Sequence, residues 1–85
     1  MFRIWAKVMK EGRIVKQTTY EREERFTYAR LFHYLTEICD ELDIPTPVLL
    51  KTHAFNYAKF RHTVFRTADF MEEVDFDKLI LENIS

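Results

Sequence analysis

The chain predicts an α+β domain: an N-terminal β-hairpin, two consecutive helices packed on one sheet face, and a C-terminal strand completing a three- or four-stranded sheet. Three observations carry that prediction. Apolar and polar residues alternate from Phe2 to Met9, an apolar stripe recurs at helical spacing between Thr27 and Leu42, and a short apolar run from Lys78 to Ile84 is free of glycine and proline. With 85 residues, 47% of them hydrophobic, residues 1–85 form a single domain, because a second core would have too little apolar surface.

The first strand puts Phe2, Ile4, Ala6 and Val8 on one face and Arg3, Trp5, Lys7 and Met9 on the other. The single glycine follows, in Lys10-Glu11-Gly12. A three-residue loop with Gly12 in the left-handed position sets Val8 opposite Ile14, Ala6 opposite Lys16, Ile4 opposite Thr18 and Phe2 opposite Tyr20. A two-residue Glu11-Gly12 loop would instead oppose Lys7 to Lys16 and Phe2 to Glu21, so the first register is preferred. The second strand runs from about Arg13 to Tyr20, and Glu21 to Arg25 forms a charged link.

Thr27 is a suitable N-cap for the organising helix, whose stripe is Leu31, Leu35, Ile38 and Leu42 with Phe32 and Cys39 beside it. Pro45 ends it by biasing Ile44 out of the helical region. Thr46 as N-cap and Pro47 at the first position open a second helix ending near Phe60. A short extended piece passes through Val64 and Phe65, a helical turn around Phe70 to Val74 follows, and the terminal run closes the sheet against an edge of the hairpin.

Charge is blocked rather than mixed. Residues 1–20 carry +4, 21–30 are neutral, 31–50 carry −4, 51–66 carry +4 and 67–85 carry −5, for a total of −1. Such blocks can neutralise one another across a fold or a dimer, so the basic ones are weak grounds for nucleic acid. One cysteine, no signal peptide and no long apolar run point to a cytoplasmic protein without membrane association.

Most site chemistry lacks its motif. Nucleotide-binding loops need several glycines, and no Cys-x-x-Cys, His-Glu-x-x-His or glycine-flanked serine occurs. His33 and Glu37 stand four apart, but two ligands do not make a metal site. Cys39 lies against the apolar stripe and reads as a structural thiol rather than a nucleophile. Asp75-Phe76-Asp77 resembles the start of a calcium loop, yet Leu79 and Ile80 stand where the loop needs glycine and further oxygen ligands. Asn83-Ile84-Ser85 fits the glycosylation sequon by chance. The expectation is no catalysis, no cofactor, no metal and no small-molecule ligand.

The outer hairpin face stands out. It is expected to present Arg3, Trp5, Lys7, Met9, Arg13 and Val15, a mixture enriched at protein interfaces. A protein-interaction or self-associating module, with a protein partner or a second copy as occupant, is the leading reading. The alternative is nucleic-acid binding, using that face with a basic strip of Lys51, Lys59, Arg61 and Arg66. The opening Met-Phe-Arg-Ile-Trp-Ala-Lys, the middle Glu-Ile-Cys-Asp-Glu-Leu-Asp-Ile-Pro-Thr-Pro and the closing Val-Asp-Phe-Asp-Lys-Leu together resemble a group of small proteins of unknown function encoded by gut bacteria. That resemblance implies a bacterial, cytoplasmic, single-domain protein and transfers no activity or ligand.

Overall fold

A computed structural model describes all 85 residues. Strands β1 (Phe2–Lys10) and β2 (Arg13–Arg22) form the hairpin, α1 (Leu31–Leu42) and α2 (Lys51–Phe60) follow, and β3 (His62–Arg66) and β4 (Lys78–Asn83) complete the sheet. The order is β2-β1-β4-β3 with every pair antiparallel, so β4 takes the central place beside β1 and β3 becomes an edge. The α+β class and the hairpin follow the expectation, and the extended piece at Val64 and Phe65 supplies the fourth strand.

Alternation decides which sheet face is covered. Phe2, Ile4, Ala6 and Val8 of β1, Leu79 and Leu81 of β4 and Thr63 and Phe65 of β3 are all buried on one side, joined by Leu31, Tyr34, Leu35, Ile38, Cys39 and Leu42 of α1. Helix α1 lies against β2, and α2 lies against β3, where the His53 ring rests 4.3 Å from that of Phe65. The opposite face of the sheet has no layer over it.

The hairpin register departs from the expected one. Glu11 and Gly12 form a two-residue turn, both in the left-handed region at φ 51° and 77°, with Lys10 opposite Arg13. That loop alone would have inverted the facing of β2. A bulge between Val8 and Met9 prevents it: Met9 faces Ile14, Val8 faces Lys16, and the ladder continues to Phe2 opposite Arg22. The extra residue restores parity, so Tyr20 enters the core opposite Ile4.

Three helical boundaries also shift. Tyr28–Arg30 is a 3₁₀ turn, the Thr27 side chain makes no capping bond, and α1 proper begins at Leu31. Within it Phe32 is 55% exposed, while Tyr34 takes the inward position among the rings of Phe2, Phe26 and Tyr20. Asp43, left-handed at φ 56°, ends the helix, and the Ile44 N–H closes back on the Cys39 carbonyl. Helix α2 starts at Lys51 rather than Pro47, because Pro47 is buried and the Val48 N–H is bonded to the Asp69 carbonyl. The expected turn at 70–74 lies earlier, as a 3₁₀ turn at Thr67–Asp69.

Candidate functional site

The uncovered sheet face can be read row by row from the ladder. Thr19, Trp5, Glu82 and His62 form one row, Gln17, Lys7, Ile80 and Val64 the next, and Ile14, Met9, Lys78 and Arg66 the third, with Glu21 and Arg3 at the end. Its middle is apolar, through Trp5, Ile80, Val64 and Met9, and its margin is polar. No helix is long and apolar enough to cross a membrane.

The face is held in shape by its own contacts. The Trp5 indole N–H donates to Gln17 Oε1 at 2.9 Å, and Lys7 Nζ stands 4.1 Å from the Trp5 ring centroid. The same ammonium is 3.3 Å from Glu82 Oε1, with only 16% of the Lys7 side chain exposed. Arg3 is paired with Glu21 at 3.8 Å. Lys78 and Arg66 are the cations of this face without a carboxylate partner. One side of the only indole on the face is therefore occupied by Lys7, and half its positive charge is neutralised.

Of the six hairpin residues expected to bind, Arg3, Trp5, Lys7 and Met9 share this face. Arg13 and Val15 do not. The bulge places Ile14 opposite Met9 and turns Val15 to the other side, where it lines a pocket with Lys10 and Lys16. Arg13, opposite Lys10, lies on that side too. The basic strip is also divided: Lys51 and Lys59 stand on α2, Arg61 caps that helix in the left-handed region with its guanidinium on the Ser85 carbonyl, and Arg66 alone reaches the open face. Ile80, Val64, Lys78 and Glu82 belong to the face and were not expected there. The signal was the alternation of Lys78, Ile80 and Glu82 with Leu79 and Leu81, hidden inside what reads as an unbroken apolar run.

The largest concavity, about 470 Å³, opens on the covered side between the hairpin tip, the end of α1 and the segment 73–76. Val8, Ile44, Pro45, Val74 and Phe76 give it an apolar floor, with Asp43, Glu73 and Asp75 at its rim. Its lining contains no hydroxyl, thiol or imidazole. Lys16 in its wall is committed to the fold, donating to the Leu42 and Asp43 carbonyls at the negative end of α1.

The remaining titratable clusters are fasteners. Glu37 Oε1 accepts the Tyr20 hydroxyl and lies 3.4 Å from Arg22 Nη2 and 3.3 Å from His33 Nε2. The Tyr20 hydrogen bond, aided by the charges of His33 and Arg22, holds this carboxyl below its usual range, whereas burial and the same bond raise the Tyr20 phenol. An arginine on that oxygen works against cation binding by the His33–Glu37 pair. His53 Nδ1 accepts the Leu50 N–H at 2.9 Å, so its proton resides on Nε2 and points to Asp69 Oδ2 at 3.3 Å. Burial pushes the Cys39 thiol up to about 12, leaving it protonated and unreactive at neutral pH. No three His, Cys, Asp or Glu side chains gather in a way that could hold a metal ion.

Compared with known proteins, the chain matches no family model, no curated sequence and no solved structure.

Proposed function

We propose that this is a non-catalytic, cytoplasmic docking module that uses its bare sheet face to bind a second copy or another protein. The observation that carries the reading is the distribution of charge and apolar surface on that face. Trp5, Met9, Ile80 and Val64 make an apolar middle, and Arg3 and Lys7 are already paired with Glu21 and Glu82. Protein interfaces have this plan, with a core depleted of free charge and rich in Trp and Met inside a polar rim. A binder of single strands needs exposed ring faces and unpaired cations instead. Here the single ring is partly occupied and the strip Lys51, Lys59, Arg61 and Arg66 does not continue across the face.

Sedimentation over a concentration series tests the proposal. Association is expected to persist in about 1 M salt, where exposed charge pairs are screened, and to be lost in Ile80→Glu, which sets a carboxylate in the apolar middle. A chain that stays monomeric and binds a single-stranded oligonucleotide, with affinity falling steeply as salt rises, would replace this reading with the nucleic-acid one.

A further inference from the structure

We infer that the free edge of β3 is a docking site for an acidic, extended peptide segment that adds to the sheet as a fifth strand. This edge borders the open face and shares the side chains of His62, Val64 and Arg66 with it, but what it offers a partner is backbone. The Asn83 N–H donates to the Arg61 carbonyl at 2.8 Å. In an antiparallel ladder the bonded pairs recur at every second residue, so Thr63 with Leu81 and Phe65 with Leu79 carry the bonds to β4. His62, Val64 and Arg66 consequently turn their N–H and C=O groups outward. The Arg66 N–H is taken by Asp69 Oδ2 at 2.9 Å. The Arg66 carbonyl is turned into the 3₁₀ turn, where it accepts from the Asp69 N–H, so Val64 with both its groups and His62 with its carbonyl are what an added strand can satisfy.

The side chains beside this row specify the occupant. On the helix side a groove of about 240 Å³ is lined by Asn56, Phe60, Thr63 and Val64 among others, with the Phe60 ring 54% exposed. Thr63 is 2% exposed and its hydroxyl has no hydrogen-bond partner. Residues 51–66 carry four cations and no anion; Arg66 is exposed on this border and Lys59 stands 5.5 Å from the Phe60 ring, while Arg61 reaches back to the Ser85 carbonyl. The two nearest carboxylates are engaged, Asp69 by His53 and the Arg66 backbone, Glu82 by Lys7. An added strand with acidic residues opposite His62 and Arg66 and apolar residues between them would set carboxylates beside the cations and apolar side chains in the groove. A second copy fits the edge poorly, because pairing β3 with β3 brings together two segments that each carry four cations and no anion over residues 51–66.

The test uses a fluorescein-labelled peptide of alternating glutamate and valine, the same peptide N-methylated at alternate amides, and a lysine–valine counterpart. Anisotropy titration of the full chain is expected to show binding of the first, with loss of about tenfold or more for the other two and for the Arg66→Glu variant. Trp5→Glu, on β1 with β4 between it and this edge, should abolish open-face association and still bind the first peptide as the unaltered chain does, which keeps this result distinct from the open-face reading. Equal binding of the N-methylated or lysine peptide, or no binding at about 1 mM, overturns the proposal. So does a dimer that Val64→Pro converts to a folded monomer, since the edge would then belong to a second copy.

Discussion

Tyr34 and Glu37 are one helical turn apart and illustrate opposite fates of a polar group. The Tyr34 ring is fully buried in the aromatic cluster with Phe2, Phe26 and Tyr20, yet its hydroxyl has no hydrogen-bond partner. An unsatisfied buried hydroxyl costs stability that a hydrogen atom does not. Tyr34→Phe should therefore leave stability unchanged or raise it by up to about 1 kcal/mol in a denaturant melt. A loss above about 1 kcal/mol would mean the hydroxyl has a partner. Glu37 is satisfied three times over. Its folded carboxyl titrates below the usual 4.5, so its contribution to stability is complete above that pH and disappears as pH falls through the lower, folded value. The melting-temperature gap between the unaltered chain and Glu37→Gln should be open at neutral pH and close under acid conditions below 4.5. A gap independent of pH would show that the carboxylate charge is not what Tyr20, Arg22 and His33 hold.

The hairpin shows how local chemistry and tertiary demand settle a register between them. Glu11 occupies a left-handed position at φ 51° that costs an ordinary residue about 1 to 2 kcal/mol and that asparagine tolerates better. Glu11→Asn should stabilise the chain by about 0.5 kcal/mol, with the backbone bond from residue 11 to Asp77 Oδ2 retained. An unchanged or lower melting temperature would indicate that the turn is not the strained element it appears by its dihedrals. Alternation in Phe2–Met9 was enough to assign both faces of β1, and the spacing of Leu31, Leu35, Ile38 and Leu42 was enough to find the buried side of α1. The bulge was not legible, since a residue unpaired at Ile14–Val15 leaves no compositional trace and matters only through its partners. The start of α2 was misplaced for a related reason: Pro47 satisfies the rule for a first helical position, but the packing of its ring and the Val48–Asp69 bond hold that segment out of the helix.

At the level of the entire molecule, one α/β layer pairing leaves one sheet face open, and this is what turned a hairpin-face expectation into a four-stranded one. The sequence pattern around Trp5 indicated that a mixed apolar and basic surface exists. It could not reveal that β4 inserts beside β1, and so could not place Ile80, Val64 and Glu82 next to Trp5. Nor could it show that Arg3 and Lys7 are already partnered, because charge pairing across a ladder depends on strand order. The blocked charge has its explanation here in part: Arg3–Glu21, Lys7–Glu82, Arg22–Glu37 and Arg30–Glu24 join residues of different blocks or span the helix–strand junction. Finally, the unpaired residue in β2 is one that the ribbon can lose. A chain one amino acid shorter between the turn and Lys16 would close the same ladder without the bulge, with Val8 still opposite Lys16 and Ile4 opposite Tyr20, so the tyrosine that holds the flank of α1 and the ammonium that closes its end would stay in place, and natural variants are expected to tolerate a one-residue deletion there.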